Sequence, residues 1–296
     1  MSDKDKNLSL FGFINVNKPK GLTSHDVVAR LRRVTKIKQI GHTGTLDPFA
    51  VGVLPVCIGK ATRLIEYLND DKEYLATVQF GKNTDTYDLD GVVTEEFDRK
   101  VNETEMLRAL KSFEGEIFQM PPIYSAIKVK GKKLYDYARA GEAVDIQPRK
   151  VTISKIELKD FDYENQCAKI LVACSKGTYI RSIAYDLGKE LSCGGFLIGL
   201  ERTKAGNFKI ADSLDLDALN EFEDVAKNII NPVNVIEKTS YELKKPDLDR
   251  VLHGMSIINP GFENSDIVIL VYSGKIYAIG VVEQDKILVK KVFEVL

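Results

Sequence analysis

The sequence predicts a chain in which strands and helices are mixed, arranged as one large domain followed by a small one. Apolar residues alternate with polar ones in some segments and recur at helical spacing in others. The chain has 296 residues, and single cores usually stop growing at about 250 to 300 residues, which favours two unequal domains. Hydrophobic residues make up 44% and charged residues 29% of the chain, so we expect a folded protein.

The N-terminal region predicts a strand followed by a helix. Residues 12–18 alternate like a strand that ends at Pro19, and the next two residues form a turn. Ser24 is the expected N-cap of a helix whose apolar face carries Val27, Leu31 and Val34. The other face is basic and carries Arg30, Arg32, Arg33, Lys36 and Lys38.

The middle of the chain predicts further strands and helices around loops. Residues 41–59 are punctuated by glycine and proline and are too irregular for one helix. We expect strands at 74–80, 151–158, 168–174 and 196–208, and helices at 61–68, 103–113 and 182–190. After Asn231 the pattern changes. Residues 244–246 predict a linker, and apolar runs at 267–271, 276–282 and 287–292 predict a small β-domain.

Composition argues against several classes of protein. Lys plus Arg (42) balance Asp plus Glu (43), so any nucleic-acid site must come from local clusters of charge. The four cysteines form no C-x-x-C pair, which argues against structural zinc. A calcium-like pattern at 86–91 has Phe97 where a bidentate glutamate is required, so we reject calcium there. No apolar run approaches the roughly 20 residues of a membrane span, and we expect a cytoplasmic protein with reduced thiols.

Residues 41–48, GHTGTLDP, place a single acid, Asp47, between small residues and a proline. This is the pattern of an exposed turn, and such irregular loops often carry functional residues. In an ordinary Asp-Pro pair, however, the aspartate caps a turn or a helix that begins at the proline. Spacing alone leaves both interpretations of Asp47 open.

Residues 41–56, GHTGTLDPFAVGVLPV, closely resemble the catalytic motif of TruB-type pseudouridine synthases, which modify the uridine at position 55 of tRNA. VNKPKG at 16–21 resembles the first motif of this family, KEY at 72–74 with residues 81–91 the second, and KGTYIR at 176–181 the third. Residues 124–141 are similar to the family's RNA-gripping inserted loop, and LERT at 200–203 to its late active-site strand. The matches run in the expected order over residues 12–208.

The resemblance implies an α+β catalytic domain, residues 1–238, with the pseudouridine synthase fold and a mixed, mainly antiparallel central sheet. An RNA-binding loop is inserted at residues 124–150, and residues 239–296 resemble a short PUA-like β-barrel. The implied reaction detaches uracil from its ribose, rotates it and rejoins it through carbon, with no metal or nucleotide cofactor. The implied partner is the T-loop and stem of tRNA. We expect a monomer with no obligatory protein partner.

The same resemblance implies roles for five side chains around the reacting base. Asp47 is the nucleophile, and attack on the base or on the sugar both remain open. Arg181 pairs with Asp47 and favours its charged form. Tyr74 stacks on the flipped uracil and takes part in proton transfer. Tyr179 orients the Asp47–Arg181 pair and Leu200 packs the pocket, although both are also ordinary candidates for the core.

Other residues are expected to contact RNA. By the resemblance, His42 fills the gap that the flipped base leaves. Residues 125–150 are basic with interleaved tyrosines, a composition suited to phosphates and stacked bases, although a solvated loop has the same composition. The candidate contacts are Lys130, Lys132 and Lys133 in this loop, with Lys18, Lys60 and Arg63 elsewhere. Each alone is an ordinary surface charge, and only the cluster argues for RNA.

Two alternatives remain at this point. A guide-RNA-dependent synthase of the dyskerin type shares the central motif but needs partner proteins and a larger accessory region, which the short C-terminal tail argues against. A non-catalytic RNA-binding or RNA-folding protein would keep the scaffold and lose the chemistry. Because Asp47, Tyr74 and Arg181 are all present, the sequence gives the second alternative no support.

Overall fold

The computed structural model describes residues 10–293 of the chain. Its α-helices are α1 Ser24–Thr35, α2 Glu103–Lys111, α3 Leu134–Ala140, α4 Ile180–Glu190, α5 Phe222–Lys227 and α6 Lys245–Leu252. Its 3-10 helices are Gly59–Tyr67, Ile210–Asp212, Leu216–Ala218 and Pro232–Asn234.

The strands of the described residues are, in chain order, β1 Gly12–Lys18, β2 Ile40–His42, β3 Val51–Ile58, β4 Lys72–Phe80, β5 Lys82–Thr84, β6 Val93–Glu96, β7 Gly115–Gln119, β8 Lys128–Val129, β9 Lys132–Lys133, β10 Arg149–Asp162, β11 Cys167–Cys174, β12 Gly195–Ala205, β13 Phe208–Lys209, β14 Leu214–Asp215, β15 Thr239–Glu242, β16 Ile257–Ile258, β17 Ile267–Tyr272, β18 Lys275–Glu283 and β19 Lys286–Val292. The chain divides into two compact units. The first contains the residues up to Pro48, Gly52–Asn69 and the residues from Gly206 onward, and the second contains Phe49–Val51 and Asp70–Ala205.

In the first unit, β1 pairs antiparallel with β3 along its whole length and parallel with β14. β2 also pairs with β3, at the end of that strand away from Gly52. Helix α1 packs its apolar face on these strands, so that Val27 and Leu31 lie in one buried cluster with Ile14 and Leu54. The predicted strand at 12–18 and the predicted apolar face of the helix are therefore confirmed.

Strand β3 was not expected. The Gly and Pro in VGVLPVCI suggested a loop, because proline cannot donate to a sheet ladder. In the structure seven of its eight residues are buried, as in the central strand of a sheet covered on both faces. The carbonyl of Pro55 still accepts a hydrogen bond from Thr43 N at 3.1 Å. The proline therefore removes only one backbone N–H donor from the sheet.

The start of α1 differs from the prediction by one residue. Thr23, not Ser24, is the N-cap, with φ −75° and ψ 158°. Asp26 N donates to the Thr23 hydroxyl at 3.1 Å, and Thr23 N donates to the Asp26 carboxylate at 2.8 Å, which forms a reciprocal capping box. The Ser24 hydroxyl is thereby left for a different contact.

The C-terminal residues form a five-stranded sheet in the order β15-β17-β18-β19-β16, a curled sheet that resembles a half-barrel. The three strands predicted in this region are confirmed as β17, β18 and β19.

The predicted linker at 244–246 is wrong. Lys245 and Pro246 begin α6, because a proline in the first turn of a helix removes only a donor that has no partner there. The domain boundary at residues 238 and 239 stays a prediction.

The second unit is built on an antiparallel sheet with the strand order β12-β4-β11-β10-β7. The predicted strands at 74–80, 151–158, 168–174 and 196–208, and the predicted helices at 103–113 and 182–190, are confirmed with small shifts of their ends. Helix α4 lies very close to the start of β12, since a Cβ on Gly188 would meet the backbone nitrogen of Gly195 at 2.3 Å. Residues 128–140 form a short hairpin, β8 and β9, followed by α3.

The fold class is confirmed as a mixed helix and strand fold whose strand pairs are mainly antiparallel. Within residues 10–293, no helix is both long and apolar enough to cross a membrane. Over the same residues, no three His, Cys, Asp or Glu side chains group as metal ligands would.

Candidate functional site

Asp47 lies in the turn between β2 and β3. Its own exposure is intermediate, whereas Leu46 (3% exposed), Phe49 (6%) and Ala50 (0%) are buried. The chain on both sides of the aspartate is therefore anchored in the core. A partly exposed acid on an anchored turn has a defined position and remains accessible to a ligand.

Four hydrogen bonds with Lys18, Gly21 and Ser24 hold this turn. Gly21 N donates to Pro48 O at 2.8 Å, and the Lys18 ammonium donates to the same carbonyl at 3.3 Å. The Ser24 hydroxyl accepts from Leu46 N at 2.8 Å and donates to Leu46 O at 3.2 Å. The residues before and after Asp47 are both fixed in this way.

The environment of Lys18 does not fit the expected phosphate contact. The residue is fully buried, and its ammonium also donates to Pro19 O at 3.0 Å and to Leu22 O at 2.6 Å. A cation that binds a phosphate must present its ammonium at the surface, and here the carbonyls of residues 19, 22 and 48 surround it. The prediction for Lys18 is corrected to an internal contact that supports the Asp47 turn.

His42 is the last residue of β2 and is half-buried. Its backbone pairs with Val56 of β3. The His25 ring lies edge-on to the His42 ring, with centroids 6.2 Å apart and planes at 79°. His42 thus stands on a strand five residues before Asp47, in the same unit.

Tyr74 and Leu200 lie on neighbouring strands of the second unit. Tyr74 is 8% exposed and sits opposite Arg202 of β12 in register, while Leu200, 9% exposed, sits opposite Ala76. Because residues opposite each other or two apart in a sheet share a face, the three side chains Tyr74, Leu200 and Arg202 share one. Arg202 is 1% exposed and was not singled out by the sequence analysis.

Arg181, in the first turn of α4, is buried with an exposure of 6%. One terminal nitrogen donates to Thr86 O at 3.2 Å and the other to Tyr124 O at 3.0 Å. The first also lies 3.3 Å from the Asp88 carboxylate, which is equally buried. Asp88 was considered only as part of a rejected calcium pattern, and three acids spaced along a polar loop gave no indication that one of them forms a buried ion pair.

Tyr179 is the N-cap of α4, and its backbone is held by a side chain that the sequence analysis missed. The amide of Gln119, 2% exposed, donates to Tyr179 O at 3.0 Å and accepts from Tyr179 N at 2.8 Å. Nearby, the Ser182 hydroxyl donates to Met120 O at 2.8 Å. The end of β7 thus fixes the start of the helix that carries Arg181.

A pair of tyrosines lies beside these residues. Tyr87 has φ +63°, and its ring stacks on that of Tyr185 with centroids 4.1 Å apart. Burial raises the pKa of the Tyr87 hydroxyl. Burial also raises the pKa of Asp186, the next residue of α4, to about 6.

The expected RNA contacts of the inserted loop differ in their local environment. Lys130 is exposed at the hairpin turn with φ +50°. Lys132 pairs with Glu142 at 2.7 Å and lies over the Tyr137 ring, and Lys133 donates to the Tyr135 hydroxyl at 2.8 Å. Lys130 is therefore the most accessible of the three ammonium groups.

Lys60 and Arg63 lie in the 3-10 helix after β3. Lys60 is half-buried. Arg63 is exposed, but its guanidinium lies 5.2 Å from the centre of the Phe293 ring and donates to Val292 O at 3.1 Å. One side of Arg63 is thus used to hold the end of β19, and its phosphate contact stays a prediction.

Comparison with solved structures defines the class of fold. The chain is similar to one chain in the crystal structure of a Cbf5-Nop10-Gar1 complex, with a TM-score of 0.74 and 27% identity over 99% of this chain and 88% of that one. It is also similar to a chain in a structure of an H/ACA RNP bound to a substrate RNA containing 2'-deoxyuridine, with a TM-score of 0.73 and 26% identity over 98% and 87% of the two chains. These neighbours are pseudouridine synthases.

Comparison of sequences then gives the family. Residues 32–180 match the model of the TruB family pseudouridylate synthase N-terminal domain. Proteins called tRNA pseudouridine synthase B are 44% identical in Caldanaerobacter subterraneus, over 97% of this chain and 100% of that one, and 40% identical in Francisella philomiragia, over 98% and 97%. The chain belongs to the TruB family of pseudouridylate synthases and is an enzyme that isomerises uridine in tRNA. The predicted resemblance is confirmed.

Proposed function

We propose that this enzyme converts the uridine at position 55 in the T-loop of tRNA to pseudouridine, with Asp47 as the nucleophile acting on a flipped base. The observation that carries the proposal is the anchored turn around Asp47. Lys18 and Gly21 hold Pro48 O on one side, and Ser24 holds Leu46 on the other. A nucleophile must be held near its attack geometry, and a partly exposed carboxylate on such a turn meets that requirement.

The reaction requires an ionised carboxylate. In the proposal Arg181 is the cation that pairs with the ionised carboxylate of Asp47. Its environment supports this role, since Asp88 and the carbonyls of Thr86 and Tyr124 hold the guanidinium in one orientation. The base is detached and rejoined within one molecule, so the net reaction neither oxidises nor reduces it and needs no redox cofactor.

Tyr74 is proposed to stack on the extruded uracil and to take part in removing the proton from its C5 carbon. A tyrosine combines an aromatic face with a hydroxyl that exchanges protons, which suits both tasks. Leu200 would pack against the base from the same face of the sheet. Tyr179 would orient Arg181 and Asp47. This role is supported by the two hydrogen bonds between the Gln119 amide and the backbone of Tyr179.

Base flipping costs a few kcal/mol of lost stacking, and the gap in the RNA is costly to leave empty. His42 is proposed to fill it, because an aromatic ring can replace part of the lost stacking. Its half-buried place on β2, with its backbone paired to β3, keeps the ring in a defined position.

Affinity for tRNA is proposed to come from local basic clusters. These are the inserted loop with Lys130, Lys132 and Lys133, together with Lys60, Arg63 and the outer face of α1. Arg30 on that face is already paired with Asp217 at 2.7 Å. The C-terminal residues 239–296 are proposed to act as a PUA-like RNA-binding domain. The enzyme is proposed to act in the cytoplasm as a monomer without a partner protein.

The test is position-resolved detection of pseudouridine in an unmodified tRNA transcript incubated with the purified protein alone. We expect product at position 55 and at no other uridine. A second transcript with that uridine replaced by cytidine is the control and should give no product. Product elsewhere in the tRNA would contradict the assigned position, and product only on addition of a guide RNA would favour the guide-dependent alternative.

A further inference from the structure

We propose that Ser24 is a positioning residue for Asp47, an inference that rests on the proposed role of Asp47 as nucleophile. Ser24 is 2% exposed and lies in the first turn of α1. Its hydroxyl makes two hydrogen bonds, both to the backbone of Leu46, the residue directly before the aspartate.

The Ser24 hydroxyl is not needed by its own helix. Thr23 provides the N-cap, and its hydroxyl accepts from Asp26 N. Two adjacent hydroxyl groups therefore have separate contacts, one with the helix and one with the turn that carries the nucleophile. This division makes Thr23 a matched control for Ser24.

The contact with Leu46 fixes the orientation of the peptide that enters Asp47. The hydroxyl serves both the N–H and the C=O of Leu46, whose side chain is also buried. Without it, two buried backbone groups lose their partner, and the peptide between residues 46 and 47 gains freedom to rotate. Lys18 and Gly21 still hold Pro48, so the turn stays in place and the aspartate is loosened on its N-terminal side only.

A small displacement of a nucleophile is costly. A misplacement of about 1 Å can reduce a rate by about 100-fold, because the reacting atoms leave their attack geometry. The proposed contacts with tRNA are the basic clusters, and Ser24 is buried and belongs to none of them. Loss of the Ser24 hydroxyl is therefore expected to slow the chemical step and leave the affinity for tRNA unchanged.

The experiment measures the single-turnover rate of pseudouridine formation and the Kd for unmodified tRNA in wild type, Ser24→Ala and Thr23→Ala. We expect Ser24→Ala to lower the rate by about 10- to 100-fold with an unchanged Kd. Thr23→Ala loses a helix cap, so its melting temperature falls, but its rate should stay at the wild-type level. A wild-type rate in Ser24→Ala, or an equal loss of rate in both variants, overturns the proposal.

Two further variants keep the result interpretable. Ser24→Cys has nearly the same shape with a weak donor and a weak acceptor, and it should give an intermediate rate. If the alanine variant fails to fold, a wild-type rate in Ser24→Cys overturns the proposal. Asp47→Asn tests the proposed nucleophile separately from the proposed role of Ser24. Activity in Asp47→Asn removes the proposed nucleophile, whereas an inactive Asp47→Asn beside a fully active Ser24→Ala removes only the role of Ser24.

Discussion

Gln119 joins the end of β7 to the start of α4, and its replacement by leucine isolates what that contact contributes. Its amide makes two reciprocal hydrogen bonds, of 3.0 and 2.8 Å, with the backbone of Tyr179. Gln119→Leu keeps a similar volume and removes both. Each buried backbone group left without a partner costs about 1 to 3 kcal/mol. Because Tyr179 is half-buried and water replaces part of the loss, we expect the free energy of unfolding to fall by about 2 to 4 kcal/mol.

The assay is urea unfolding followed by circular dichroism, with Ser182→Ala as the control. Ser182 lies at the same junction but donates a single hydrogen bond, to Met120 O at 2.8 Å, so its loss should cost about 1 kcal/mol. The rate of pseudouridine formation should also fall in Gln119→Leu, because α4 carries Arg181 two residues after Tyr179. If Gln119→Leu is no less stable than Ser182→Ala, the two hydrogen bonds of Gln119 do not stabilise this junction.

Two further predictions concern charge. Burial raises the pKa of Asp186 from 3.8 to about 6, so between these values the folded state holds a proton that the unfolded chain releases, and this residue's contribution to stability is lost as the pH rises. Asp186→Asn should therefore gain stability relative to wild type between about pH 4 and pH 6 in thermal melts, and a constant difference would contradict the raised pKa. Replacing Lys130, Lys132 and Lys133 with alanine should weaken tRNA binding and reduce the slope of log Kd against log salt by about one per lost phosphate contact. An unchanged slope would mean that these lysines face solvent in the complex.

Most secondary structure in the second unit was predictable because its strands and helices have clear periodicity. Strand β4 alternates buried and half-buried residues along most of its length, as the sequence pattern indicated. Strand β3 could not be recognised from its pattern, since a run buried on both faces has no alternation and its proline suggested a loop. The N-cap of α1 was misplaced by one residue because Thr23 and Ser24 are both good caps.

The candidate site was predictable only where a motif was long. Residues 41–56 pointed to Asp47 because many consecutive residues resemble one family motif. Ser24, Asp88 and Gln119 were missed as functional residues because their contacts join segments 22, 93 and 60 residues apart in the chain. Lys18 was misread because a lysine is usually exposed, and only the structure shows the three carbonyls around its ammonium.

The proposed role of Asp47 as nucleophile is tested by Asp47→Asn, assayed for single-turnover formation of pseudouridine at position 55 and for tRNA binding. The change keeps the shape of the side chain and removes its nucleophilic carboxylate. Asp98→Asn, at an exposed residue outside the motif, is the matched control. We expect no product and a wild-type Kd for Asp47→Asn, beside a fully active Asp98→Asn. Substantial turnover by Asp47→Asn would contradict the assignment of Asp47 as the nucleophile.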